Sequence, residues 1–94
     1  MSAVVRTVQV TNRRGLHARA SAKFVTLASE QPTEVRVAKG QDAHDDTVTG
    51  TSIMGLMMLG AAMGDHITIS ATGDGADSAV GALVALVEAK FGED

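Results

Sequence analysis

The spacing of apolar residues switches repeatedly along the chain between the two-residue period of a β-strand and the period of about 3.6 residues of an α-helix. Apolar and polar residues alternate over Val4 to Val10, Glu34 to Lys39 and His66 to Ala71, and each stretch is therefore predicted to be a strand with one buried face. The segment Thr47 to Thr49 is predicted to be a fourth, shorter strand. Four strands restrict the chain to folds built on a small sheet.

Three stretches between and after these strands have helical spacing. The first begins at His17 and ends at Gln31 to Thr33, the second runs from Ser52 to Leu59, and the third runs from Ala76 to Phe91. The resulting order β-α-β-β-α-β-α predicts an α+β fold, an open-faced sandwich in which three helices cover one face of a four-stranded antiparallel sheet. With 94 residues, the chain is long enough for one such domain, which we expect to span residues 1–94.

The uncovered face of the predicted sheet is expected to be polar. This follows from the strand residues that alternate with the apolar ones, which are Thr7, Gln9, Glu34, Arg36, Thr68 and Ser70. A polar turn is predicted from Gly40 to Asp45, between the second and third strands.

The composition argues against several classes of protein. Hydrophobic residues make up 45% of the chain, which favours a packed globule over disorder. No apolar run approaches the roughly 20 residues that span a bilayer, and the first residues lack the apolar stretch of a signal peptide, so we predict a cytoplasmic protein without membrane insertion. The chain has no cysteine, and its aromatic residues, Phe24 and Phe91, are too few to form a stacking platform for nucleic-acid bases.

The charges are unevenly distributed along the chain. Residues 1–23 carry five of the eight cationic side chains and none of the eleven acidic ones, so this segment has a charge of +5 and the remainder −8. The overall acidity argues against nucleic-acid binding. The basic segment favours a phosphate group or an acidic protein partner, and a solvated basic edge is the alternative explanation.

His17 stands where the predicted loop becomes the first helix, between Gly15 and Arg19. The first amides of a helix have no intrahelical acceptor, the helix dipole is positive there, and phosphate groups bind readily at such ends. Positive surroundings are expected to favour the neutral imidazole, a nucleophile that can carry a covalent group. If that group is phosphoryl, the amides of Ala18 and Arg19 and the Arg19 guanidinium are candidates to contact its oxygens.

A simpler interpretation of the same residues stays open. His17 is then a helix cap and Arg19 an ordinary surface cation. The other two histidines, His44 and His66, have no metal-ligand spacing with each other or with His17, so we predict no metal site. No cofactor is expected either.

The second predicted helix is unusually apolar, because its residues 53, 54 and 56–59 are all isoleucine, methionine or leucine. A short helix on a small sheet buries only one side, and the remaining apolar side is expected to form an interface. We predict that Ile53, Leu56 and Leu59 are buried, and that Met54 and Met57 form the exposed rim. Methionine suits a surface that accepts several partners.

Ser52 precedes this helix and is predicted to be an ordinary N-cap. A phosphate on Ser52 is compatible with the helix end and would place negative charge beside the predicted interface.

The stretches GLHARASAKFV and SIMGLMMLG, about thirty residues apart, make the chain similar to HPr, the histidine-containing phosphocarrier of the phosphoenolpyruvate-dependent phosphotransferase system. The resemblance covers nearly the whole chain, including the order of its elements. It implies that His17 is the histidine phosphorylated on Nδ1 and that Arg19 assists the phosphate. It also implies that Ser52 is the serine that HPr kinase/phosphorylase modifies in some members.

The same resemblance implies the partners. Enzyme I donates the phosphoryl group, EIIA-type domains accept it, and Ile53, Met54 and Met57 lie where the family docks these partners. We expect the protein itself to be a monomer.

Two features depart from the family pattern. Ala20 replaces the usual proline after the arginine, a change expected to leave the site intact because proline is tolerated in the first turn of a helix but not required there. The polar stretch Gln41 to Thr49 is longer than usual, which predicts a longer turn away from His17.

Three functions are compared on this basis. The first is a stoichiometric phosphocarrier, which is not a turnover enzyme. The second is a regulatory binding module that acts mainly through phosphorylation of Ser52. The third, a free-standing hydrolase, lacks an acid-base pair or metal cluster beside His17. The sequence favours the first, and the first and second can coexist.

Overall fold

The fold is seen in a computed structural model, which describes residues 3–41 and 46–93. Four strands, three α-helices and one short helical turn follow each other in the predicted order: β1 Ala3–Gln9, α1 Ala18–Ser29, β2 Arg36–Lys39, β3 Val48–Thr49, α2 Ile53–Met58, β4 His66–Thr72, α3 Ala76–Glu88 and the turn Lys90–Gly92. The predicted turn from Gly40 to Asp45 is described only in part, because residues 42–45, which include His44, lie outside the described residues.

The strands form one sheet in the order β1-β4-β2-β3, and every neighbouring pair is antiparallel. The register places apolar residues opposite one another, as at Val8 and Ile67 or Val37 and Ile69. Because side chains alternate along a strand, all four of these residues point to the same side of the sheet. The predicted fold class, a four-stranded antiparallel sheet with three helices, is confirmed.

The core lies between this side of the sheet and the helices. Phe24 of α1, Leu56 of α2 and Leu83 of α3 are fully buried and pack in one cluster with Ile67 and Ile69 of β4. Each buried side chain of this size stabilises the fold by about 2 kcal/mol. Every helix therefore contributes a fully buried residue to the shared core.

The opposite side of the sheet is polar, as predicted, but it is not uniformly exposed. Thr68 is fully buried, because its hydroxyl donates to the carbonyl of Gly40 at 2.7 Å and also contacts the Thr7 hydroxyl at 3.0 Å. The loop after β2 thus covers the middle of β4 on this side.

The prediction that the last helix reaches Phe91 is wrong. The helix ends at Glu88 because Lys90 and Phe91 adopt left-handed conformations, with φ of 58° and 56°, and Gly92 follows with φ of 72°. The Phe91 side chain turns into the core, where it is 1% exposed. In the part of the chain that is described, no helix combines the length and the hydropathy needed to cross a membrane.

Candidate functional site

His17 is the N-cap of α1. Its backbone is extended, with φ of −74° and ψ of −179°, and its carbonyl accepts the amide of Ser21 at 2.8 Å. The ring nitrogen Nδ1 accepts a hydrogen bond from the Arg19 amide at 3.3 Å. The simpler interpretation of His17 as a cap is therefore correct as far as it goes, and the cap leaves the second ring nitrogen free for another contact.

The loop before His17 is held by a buried asparagine. Asn12 is fully buried, and its side-chain amide donates to the carbonyl of Gly15 at 2.9 Å. Gly15 has φ of +63°, and a Cβ atom there would lie 2.4 Å from the carbonyl oxygen of Ala61. The next amide, that of Leu16, donates to the same Ala61 oxygen at 3.0 Å. Only glycine allows this close approach, which joins the loop of His17 to the segment that follows α2.

The second nitrogen of His17 contacts a carboxylate. Nε2 lies 2.8 Å from Oε1 of Glu93, and the two side chains are 21% and 18% exposed. The same Oε1 atom accepts a hydrogen bond from the Asn12 side-chain amide at 3.1 Å. Glu93 and Asn12 therefore fix the ring from the side opposite to the Arg19 amide.

The hydrogen bond from His17 holds the pKa of Glu93 below its ordinary value. Partial burial acts in the opposite direction, while the hydrogen bond from Asn12 and the charge of Lys23 add to the lowering. Glu93 is therefore ionised at neutral pH and can only accept. It follows that Nε2 carries the proton of a neutral ring, whereas Nδ1, which faces a backbone N–H, presents its lone pair.

The positive surroundings predicted for His17 are only part of what the structure shows. A carboxylate lies in direct contact with the ring, in addition to the positive end of α1. The Arg19 side chain is exposed, and within residues 3–41 and 46–93 only its backbone amide is hydrogen-bonded to His17. Ala18 and Arg19 open α1, so their amides point out of the helix end as predicted.

Ser52 caps α2, as predicted. Its hydroxyl accepts the amide of Gly55 at 3.0 Å. It stands at the start of α2, whereas the segment that contacts the His17 loop follows the end of this helix. The two helix starts are thus separate, and no hydrogen bond among the described residues joins Ser52 to His17.

The apolar surface of α2 is larger than predicted. Leu56 is buried and Leu59 is half-buried, but Ile53 is 42% exposed, so the prediction that it is buried is wrong. The six-residue helix turns one residue fully into the core and leaves Ile53 on the side of the methionines. The exposed apolar residues of α2, which we call the methionine face, are Ile53, Met54, Met57 and Met58.

Two residues of the site escaped prediction. Asn12 had a weak signal, since an asparagine three residues before a glycine in a polar loop is typical of a turn. Glu93 had none, because it lies 76 residues from His17 and because extending α3 through Phe91 directs the chain elsewhere. Its position depends on the left-handed conformations of Lys90 and Phe91.

Comparison with known proteins shows the family of this chain. A family model described as the PTS HPr component phosphorylation site matches residues 4–89. The phosphocarrier protein NPr of Shewanella violacea is 41% identical over 93 residues, which cover 99% of this chain and 98% of that protein. Phosphocarrier protein HPr of Neisseria meningitidis is 45% identical over 87 residues, covering 93% of each chain.

A solved structure is similar over its whole length. HPr from Thermoanaerobacter tengcongensis matches with a TM-score of 0.82 at 40% identity, covering 100% of this chain and 99% of that one. HPr from Bacillus anthracis matches with a TM-score of 0.80 at 36% identity, covering 90% and 96%. The chain therefore belongs to the HPr family of phosphocarrier proteins of the phosphotransferase system.

Proposed function

We propose that this protein, as a single domain over residues 1–94, accepts a phosphoryl group from phosphorylated Enzyme I on Nδ1 of His17 and passes it to an EIIA-type domain. The observation that carries the proposal is the state of the ring. Nε2 is held by Glu93 at 2.8 Å, so the lone pair of the neutral imidazole is on Nδ1, at the start of α1. A nucleophilic nitrogen at a helix N-terminus is suited to take a phosphoryl group, since the helix end favours the negative charge of the product.

The transfer step uses few groups. The Nδ1 lone pair attacks phosphorus, the bond between phosphorus and the donor atom of Enzyme I breaks, and the donor atom keeps the electron pair. Once Nδ1 is bonded to phosphorus, it no longer accepts the Arg19 amide. That amide, together with the amide of Ala18 and the flexible Arg19 guanidinium, is then available to the phosphoryl oxygens.

A stoichiometric carrier fits these groups better than a hydrolase does. Hydrolysis requires a base that activates water next to the phosphorylated atom. The carboxylate that contacts His17 is bound to Nε2, on the far side of the ring from Nδ1. We therefore propose that partners supply the remaining catalytic groups, and that no cofactor is needed.

The methionine face is proposed as the docking surface for Enzyme I and EIIA-type domains. Met54 is 70% exposed, and Ile53 and Met57 are each 42% exposed. Large apolar side chains at such exposure are unfavourable unless a partner covers them. The segment after α2 hydrogen-bonds to the His17 loop, which supports a partner that contacts this face and the helix end together.

Ser52 is proposed as a regulatory site for HPr kinase/phosphorylase. It is half-buried as the cap of α2 and immediately precedes Ile53 and Met54 of the methionine face. A phosphate there adds about two negative charges beside an apolar docking surface, which raises the free energy of docking. A module that acts only through Ser52 is the alternative to the carrier.

The test is a phosphotransfer assay with Enzyme I and labelled phosphoenolpyruvate. Wild type is compared with His17→Ala and with His66→Ala, a control histidine at the start of β4. An acid-labile label on wild type and His66→Ala, absent from His17→Ala, supports the carrier.

A negative result is also informative. If an Enzyme I that labels another HPr leaves this protein unlabelled, the carrier function is rejected. The Ser52 module then takes its place, and it is tested by incubation with HPr kinase/phosphorylase and ATP.

A further inference from the structure

The turn after α3 is strained, and it places one side chain. Lys90 and Phe91 are non-glycine residues with φ of 58° and 56°. Such a residue is strained and persists only where the surroundings determine it. Here Phe91 is buried in the core, and its carbonyl accepts the Lys23 ammonium at 2.7 Å. The strained turn thus connects the end of α3 to α1.

The residue after this turn is Glu93, whose carboxylate is positioned by two donors. Oε1 lies 2.8 Å from His17 Nε2 and 3.1 Å from the Asn12 side-chain amide. Asn12 is itself fully buried and bonded to Gly15. The carboxylate therefore occupies a fixed place relative to the loop that carries the histidine.

We propose that Glu93 is a positioning residue for His17, which keeps the ring proton on Nε2 and stabilises the positive charge that the ring gains when Nδ1 takes a phosphoryl group. The inference rests on the proposed function and adds a residue to its site. A carboxylate hydrogen-bonded to the distal nitrogen of a catalytic histidine has this effect in serine proteases, where it remains ionised.

The charge balance explains why the carboxylate matters. Before transfer, the neutral ring has one proton on Nε2 and a lone pair on Nδ1. When Nδ1 bonds to phosphorus and the donor leaves with its electron pair, the proton stays on Nε2 and the ring becomes a cation. The Glu93 carboxylate, 2.8 Å from Nε2, lowers the free energy of this cation relative to the neutral ring.

Two variants separate the roles of geometry and charge. Glu93→Gln keeps an oxygen that can accept a hydrogen bond from Nε2–H but removes the negative charge. Glu93→Ala removes both the acceptor and the charge. The matched control is Glu88→Gln, at an exposed acid in the last turn of α3. The ring ¹⁵N chemical shifts of His17 at neutral pH report the tautomer without any partner. The rate of labelling by Enzyme I and its dependence on the concentration of this protein report transfer and docking.

We expect Glu93→Gln to retain the wild-type tautomer. Its labelling should be about tenfold slower, which is the factor that corresponds to one pKa unit of stabilisation of the ring cation. Glu93→Ala should show a mixture of tautomers and a larger loss of rate. The KM for this protein should stay unchanged in both variants, because Glu93 is outside the methionine face. Glu88→Gln should behave as wild type.

Each contrary result overturns a defined part. An unchanged tautomer in Glu93→Ala overturns the positioning role, and labelling of Glu93→Gln at the wild-type rate overturns the role of the charge. If wild type itself takes no label, the proposed function fails, and the ring shifts of the two variants still decide whether Glu93 sets the tautomer.

Discussion

The starts of α1 and α2 are built alike and differ in what supports them. Both capping residues are extended, with φ of −74° at His17 and −109° at Ser52. Each side chain accepts a nearby backbone amide, that of Arg19 in the first case and that of Gly55 in the second. The local cap is therefore the same device at both places.

The two helix starts differ in the contacts that hold the capping side chain in place. The ring of His17 is also held by Glu93, and the carboxylate is held by buried Asn12. Moreover, α1 extends over 12 residues and α2 over only 6, with Leu56 as its one buried residue. The first start is thus rigidly connected to the core, as required for a reacting atom, whereas the second leads into an exposed apolar surface, as required for docking.

The largest effect on stability is expected from Gly15→Ala, because this substitution disrupts the loop that leads into α1. The new Cβ would lie 2.4 Å from the Ala61 carbonyl oxygen, at φ of +63°. Overpacking against the backbone and left-handed strain together should lower the free energy of unfolding by about 4 kcal/mol. Urea unfolding measures the change, and the labelling rate should fall in the protein that remains folded.

The matched control for this glycine is Gly60→Ala. Gly60 also has positive φ, +68°, but a Cβ there meets no atom within 4 Å. Strain alone should reduce the free energy of unfolding by about 1 kcal/mol. Equal losses in the two variants would show that the contact with Ala61 does not support the His17 loop.

The two sides of α2 offer the next contrast. Leu56→Ala, at a fully buried residue, should lower the free energy of unfolding by about 3 kcal/mol. Met58→Ala, at a residue that is 78% exposed, should change it by less than about 0.5 kcal/mol. The docking affinity measured by titration with Enzyme I should be weakened by Met54→Ala, which leaves stability unchanged. A loss of stability in Met54→Ala or Met58→Ala would place these side chains in the core.

Substitution of Ser52 separates its capping role from its proposed regulatory role. Ser52→Ala should lower the free energy of unfolding by about 1 kcal/mol, since it removes the acceptor of the Gly55 amide. Aspartate is as good a cap as serine, so Ser52→Asp should retain stability and yet slow phosphoryl transfer to His17 through its charge.

Thermal unfolding and the labelling assay with Enzyme I give the two readouts. Labelling of Ser52→Asp at the wild-type rate would remove Ser52 as a direct brake, whatever its effect as a cap. A slow rate in Ser52→Ala as well would mean that the cap, and not the charge, is what transfer depends on.

The same contrast explains how far the sequence could be interpreted. The alternation in β1 and the cap signals at His17 and Ser52 are local, so the fold and both helix starts were predictable from short stretches. The exposure of Ile53 was not predictable, because packing between α2 and its neighbours decides which side of a six-residue helix faces the core. The contact of Glu93 with His17 was not predictable either, because it depends on two residues in left-handed conformations that no local propensity favours.

The smallest effect is expected for the hydrogen bond between Glu93 and His17, which is present at the start of α1 and has no counterpart at the start of α2 among the described residues. Because the folded-state pKa of Glu93 is lowered, mainly by the hydrogen bond from His17, this contact contributes stability above the ordinary glutamate value of about 4.3. The contribution is lost as the pH falls through the lowered pKa. The difference in free energy of unfolding between wild type and Glu93→Gln should therefore be present above the ordinary glutamate pKa and shrink as the pH falls through the lowered pKa.

A carboxyl titration followed by NMR tests the cause directly. In wild type the Glu93 midpoint should lie below the ordinary value, and in His17→Ala it should rise, because the largest cause of the lowering is removed. The hydrogen bond from Asn12 and the charge of Lys23 should still lower the pKa of Glu93, against the raising effect of burial. A midpoint that is the same in both proteins would show that the histidine does not lower the pKa of this carboxylate, and the two helix starts would then differ only in length and burial.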